Sequence, residues 1–174
     1  MRPLIAAVAA MLLAPALMLA APQAAPAEDA AGLPLRKAGR WELKTVMDEG
    51  KGPREQVLTM CIDGDMERNT AAASEQSHRQ SCSKYEIKKA GANTTVTSLC
   101  SFHGRSVESA TEMNGDFETS FKVTIKSTTS GEQDGQSVTV KRTIVQDGKY
   151  LGESCGDLKA GEAMGSDGKK IMVQ

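Results

Sequence analysis

From Gly39 onward apolar and polar side chains alternate with a period of two, and that pattern decides what this chain can fold into. Successive residues of a strand point to opposite faces, so the alternation describes strands with one dry and one wet side. Trp41, Leu43 and Met47 share one parity, and Glu42, Lys44 and Asp48 the other. Leu58, Met60 and Ile62 alternate less cleanly with Val57, Thr59 and Cys61. Tyr85 and Ile87 follow, then Val96, Cys100 and Phe102 opposite Thr95, Thr97 and Ser101. Val107 and Met113 belong to a further strand. Phe117, Phe121, Val123 and Ile125 then face in, while Glu118, Ser120, Lys122, Thr124 and Lys126 face out. Val138, Val140 and Ile144 form the last long strand, with Arg142 on the same parity and snorkelling to the rim near Asp147.

Turn signals separate these runs: residues 48–53, 90–93, 103–105 and 114–116, and a polar hairpin loop at 128–136. One stretch breaks the period. At 63–81, Asp63 or Asp65 can cap a helix, Glu67 suits its first turn, and Ala71, Ala72 and Ala73 propagate it. Met66 is the only large apolar residue there, so the pattern predicts a short surface helix at 63–73 and a polar loop at 74–80. The expected fold class is therefore mainly β: an antiparallel meander of about seven strands. Its apolar face is hidden by curling into a half-barrel or barrel, with the small helix packed alongside.

The first 27 residues are of a different kind. Met1-Arg2-Pro3 carries one positive charge, residues 4–21 hold no charged side chain, and Ala25-Pro26-Ala27 is an A-x-A site. That describes a secretory signal peptide at 1–27 and places the mature protein in the periplasm. A flexible lead-in at 28–38 and a single domain at 39–174 complete the expected organisation. No second apolar run follows, so no transmembrane segment is expected after signal removal. The formal net charge of −1 gives no electrostatic case for nucleic acid. One Trp, two Tyr and three Phe offer no stacking surface for single strands.

Cys61, Cys82, Cys100 and Cys155 are the four cysteines, and no C-x-x-C occurs, so an exported chain uses them as two disulfides. A hairpin centred on Gly91 sets Cys82 and Cys100 equally far from its middle and leaves Cys61 for Cys155. The rival pairing, Cys61–Cys82 with Cys100–Cys155, closes the helical insertion instead.

Gly39-Arg40-Trp41-Glu42, Met60-Cys61-Ile62-Asp63, Cys82-Ser83-Lys84, Cys100, Gly115-Asp116-Phe117 and Tyr150-Leu151-Gly152 before Cys155 stand in a telling order. With them the chain resembles the bacterial exported family known as domain of unknown function 3617. The resemblance implies a periplasmic location. It brings no activity, cofactor or catalytic residue with it.

The residues themselves point to no enzyme. His78 and His103 are the only histidines, both in expected loops, and there is no G-x-S-x-G. Asp63-Gly64-Asp65 begins like a calcium loop, but Arg68 stands where Gly is required. Copper held by His78, His103 and the methionines is a minor alternative, since no Met-x-x-Met or His-x-His occurs. No catalytic, cofactor or metal site is therefore expected. The leading expectation is a non-enzymatic periplasmic domain for ligand binding or envelope maintenance. Trp41, Phe117, Phe121 and Val123 either line a cavity for a small apolar ligand or fill the core. The alternative is a protein–protein module, with an envelope protein docking on a sheet edge.

Overall fold

The computed structural model describes Glu28 and residues 32–173, so the expected signal peptide lies outside the described residues. The described chain forms β1 (Gly39–Asp48), β2 (Arg54–Ile62), α1 (Gly64–Ser81), β3 (Cys82–Ala90), β4 (Asn93–Phe102) and β5 (Arg105–Gly115). It continues with β6 (Ser120–Gln133), β7 (Gln136–Gly152), β8 (Glu162–Gly165) and β9 (Lys170–Met172). All nine strands join one antiparallel sheet in the order β3-β4-β5-β6-β7-β1-β2-β8-β9. The two end strands, β3 and β9, do not pair, so the sheet is an open half-barrel and not a closed barrel.

The alternation predicts the inward face correctly. Trp41 lies opposite Met60 on one side and Tyr150 on the other, and Leu43 lies opposite Leu58 and Gly148. Gly148 in turn lies opposite Phe121, whose ring crosses it so closely that a Cβ there would stand 2.2 Å from the ring. Only glycine fits that position. Trp41, Leu43, Met60, Ile62, Phe117, Phe121 and Ala163 form the buried cluster, with Leu58, Met113, Val123 and Tyr150 packed against it.

Several expectations need correction. The helix runs to Ser81, past 63–73, and there is no loop at 74–80. Asp63 caps it by accepting from the N–H groups of Asp65 and Met66, and with neither Gly nor Pro after Gly64 nothing stops it early. Its 18 residues span ~27 Å. That nearly matches the ~29 Å of six inter-strand steps separating β2 from β3 across the sheet. The helix thus links strands that are neighbours in the chain but six places apart in the sheet, and it packs on β3 and β4.

The polar loop at 128–136 is mostly strand. β6 and β7 stay paired out to Gln133 and Gln136, and only Asp134 and Gly135 turn, with φ of 53° and 75°. A two-residue Asp-Gly loop with both φ positive matches the twist of a hairpin. Phe117 is not in a strand: it sits in the turn before β6 at φ 55°, though its ring is buried. Arg142 shares the Ile144 parity but bonds Glu49, while Asp147 pairs with Lys122. The strands number nine instead of about seven, since the Gly-rich tail adds β8 and β9.

Residues 32–38 were expected to be a flexible lead-in, yet they touch the domain at several points. Leu35 is buried, the Lys37 N–H donates to the Phe117 carbonyl at 2.9 Å, and the Arg36 guanidinium holds Glu67 of α1.

Both disulfides follow the favoured pairing, Cys61–Cys155 and Cys82–Cys100. The hairpin centre is not Gly91, however. Ala90 pairs with Asn93 around a two-residue turn, which would leave the two cysteines one residue out of step. A bulge between Cys82 and Lys84 absorbs that residue and sets Cys82 opposite Cys100.

Candidate functional site

The four residues expected either to line a cavity or to fill the core are brought together as packed core. Trp41 is 0% exposed, its ring 5.4 Å from that of Phe121 and 5.3 Å from that of Tyr150. Phe117 stacks on Phe121 at 4.9 Å. The indole N–H donates to the Lys37 carbonyl at 2.8 Å, so the one polar atom of the Trp41 side chain is satisfied from the lead-in. Val123 packs against this cluster. The hollows described below lie elsewhere on the sheet.

The two histidines are not brought into one site. His78 lies on α1, with its ring 4.9 Å from Tyr85 and its Nδ1 at 2.7 Å from the Ser74 carbonyl, whereas His103 occupies the β4–β5 turn. Among the described residues no three His, Cys, Asp or Glu side chains converge as a metal site.

A different feature stands out, and it arises from unequal strand lengths. β7 has 17 residues and its outer neighbour β1 only 10. β1 begins pairing beside Gly152 and ends with Asp48 opposite Thr143. Residues 136–142 of β7 therefore have β6 on one side and no strand on the other.

Which backbone groups this leaves open follows from the ladder. The Tyr150 N–H donates to the Thr119 carbonyl, on the β6 side. Bonding direction alternates along an antiparallel strand, and the β6–β7 register runs without a shift. Even-numbered residues of β7 thus bond β6, and odd-numbered ones face β1. Val145 and Thr143 meet β1 residues. Lys141, Thr139 and Ser137 lie beyond its end and turn their N–H and C=O groups outward. Val138 and Val140, 37% and 39% exposed, stand on the inward-facing side of this segment.

Two hollows flank it. A notch of about 690 Å³ is lined by Asp48, Glu49, Gly50 and Lys51 of the β1–β2 turn and by residues 139–143 of β7. Glu49 closes its side: Arg142 Nε donates to it at 2.7 Å and Arg54 Nη2 at 2.9 Å. The Arg142 hydrogen bond, then its charge, holds the Glu49 carboxyl below its ordinary range. A groove of about 550 Å³ crosses the outer face from Lys84 to Lys141. Its floor is an in-register row, Lys84, Leu99, Glu108, Thr128 and Lys141.

Ser137, Thr139 and Lys141 carry nothing in their local sequence that singles them out as site residues. The available signal was Asp134-Gly135, which marks a two-residue turn and so extends both strands of the hairpin beyond the reach of β1.

The arrangement defines an open antiparallel half-barrel with a bonding edge on β7. Residues 36–155 match the family model described as a protein of unknown function (DUF3617), and the chain belongs to that family. No curated protein and no solved structure matches the chain.

Proposed function

We propose that this is an exported, non-enzymatic interaction domain that takes up an extended segment as an added strand on β7. The observation that carries the reading is the row of outward backbone groups at Ser137, Thr139 and Lys141, left beyond the end of β1. Unpaired strand edges template further strands unless they are blunted. This one has no proline and no bulge, the β1–β2 turn leaves a notch beside it, and it carries Val, Thr and Val at its centre. The β3 edge, at one end of the sheet, is different. β3 displays Lys84, Lys88 and Lys89, the charged dressing that protects an edge.

Export and a periplasmic location are supported by the leader-like residues 1–27 and by four cysteines that all pair. A role in envelope maintenance suits such a domain. A small apolar ligand has less support, because Trp41, Phe117, Phe121 and Val123 spend their surfaces on one another. The test places a photo-crosslinking amino acid at Thr139 and, as a control, at Thr95 on the outer face of β4, in cells that export the protein. Covalent products at position 139 and none at 95 are expected. Equal labelling at the two positions sinks the reading.

A further inference from the structure

We infer that the strand added to β7 is β7 of a second copy of this chain, paired antiparallel about a two-fold axis through Thr139. This rests on the reading of the β7 edge above, and it names the occupant.

The argument is one of register. A two-fold antiparallel pair sets residue against residue with equal offsets from its centre, and only outward-facing residues can exchange hydrogen bonds. Thr139 is the midpoint of the free segment 136–142 and faces outward itself. Centred there, Thr139 meets Thr139 of the second copy, Ser137 meets Lys141, and Lys141 meets Ser137. All three open residues on each copy are then satisfied, with two hydrogen bonds for every pair. Moving the centre by one residue in either direction leaves one open residue of each copy unpaired. A centre at 141 sets Lys141 against Lys141, a like-charge clash, and sends the open residues Thr139 and Ser137 of the second copy against Thr143 and Val145, which β1 already holds.

The side chains fit the same register. Val138 meets Val140 twice, which gathers four valines on one face, and Arg142 meets Gln136, so no like charges oppose. Charge agrees at the ends as well. The hairpin tip carries Glu132 and Asp134, neither with an ion-pair partner among the described residues. In this register the tip of one copy arrives at the notch of the other, where Lys51, Lys141 and Arg142 outnumber Asp48 and Glu49. One shared ladder is a small interface, so the association is concentration-dependent and of the weak class.

Sedimentation equilibrium of the disulfide-intact protein, run up to millimolar concentration, tests this. Wild type is expected to move from one chain mass to two as concentration rises. Thr139→Pro is expected to stay at one. It removes an outward N–H without touching the β6–β7 ladder, a position where an edge strand tolerates proline. Circular dichroism checks that it is folded, and Ser137→Pro serves if it is not. Thr139→Ala is expected to dimerise like wild type. Wild type at one chain mass throughout, or a folded proline variant that still dimerises, overturns the inference. The crosslinker at Thr139 separates the two claims. A product of twice the chain mass supports the second copy. A product containing another polypeptide keeps the edge reading and overturns the second copy, and no product at all overturns both.

Discussion

Arg36 and Glu67 form a two-pronged ion pair, with Nε donating to Oε1 at 2.8 Å and Nη2 to Oε2 at 2.6 Å. Arg36 Nη1 also approaches the Met60 sulfur at 3.6 Å, so the lead-in, the first turn of α1 and β2 meet at one guanidinium. Planar forks of this kind are the stronger ion pairs, and Lys cannot reproduce them. Glu67→Gln or Arg36→Lys is expected to lower stability by about 1–3 kcal/mol, since each leaves a half-buried partner incompletely satisfied. Urea unfolding of both single variants and the double variant checks this. Additive losses would show that the two residues do not act on each other.

Trp41 joins burial with a hydrogen bond, and two substitutions separate them. Trp41→Ala empties the centre of the cluster and is expected to cost about 3–5 kcal/mol. Trp41→Phe keeps most of the apolar volume but leaves the Lys37 carbonyl without its donor, for a smaller loss of about 1–2 kcal/mol. Chemical denaturation with intrinsic fluorescence from Tyr85 and Tyr150 reads both. A Trp41→Ala protein as stable as wild type would mean the core is elsewhere.

Asp116 gives the acid limb of stability a specific origin. Partial burial pushes its pKa up, but the Thr119 hydroxyl and the N–H groups of Thr119, Ser120 and Glu118 outweigh that, and the net shift is well below the usual carboxylate range. A folded-state pKa below the unfolded value contributes stability that is present above the unfolded value of about 3.9 and lost as pH falls toward the folded one. Asp116→Asn is expected to flatten the decline of stability below about pH 4 while lowering stability at pH 7. Thermal midpoints between pH 2 and 7 test it, and parallel curves for the two proteins would remove Asp116 from the acid response.

The two disulfides close loops of very different length. Cys61 and Cys155 lie 94 residues apart and Cys82 and Cys100 only 18. Restriction of the unfolded chain then predicts about 4.5 kcal/mol for the first and about 3 kcal/mol for the second. Replacing each pair by serine and measuring unfolding midpoints gives the order. Greater damage from losing Cys82–Cys100 would point to the bulged hairpin end of β3 as the weaker structural element.

Much of the fold was written in local pattern, and what was missed is either weakly patterned or non-local. Strands with one dry face, such as Trp41-Glu42-Leu43-Lys44, announce themselves because every second residue is apolar. Residues 128–133 do not, since both their faces meet water beyond the core and their Ser, Thr and Gly read as loop. The second half of α1 was hidden for a related reason: Glu67 is its only buried residue, so it has no apolar stripe to detect. The pairing of Cys82 with Cys100 was legible because a hairpin is a local object, even with its centre misplaced by the bulge. The β7 edge was not legible at all. Whether Thr139 has a neighbour depends on where β1 stops, and β1 lies at the other end of the chain.

That placement of β1 has a consequence for how the protein is made. β1 is the first of the described strands to be synthesised, yet one of its two neighbours is β7, the last long one among them, so Trp41 waits for Tyr150 until more than a hundred further residues have been made. The β1–β2 hairpin and the β3–β7 meander can each form from short-range contacts, and closing the seam between them is the slow, long-range event. A chain halted before β7 would leave the β1 edge that meets it bare, an unpaired strand of the kind that makes incomplete chains prone to aggregate. Cys61 meets Cys155 just beyond that seam, so that bond is a covalent clasp that can close only after β7 has been made.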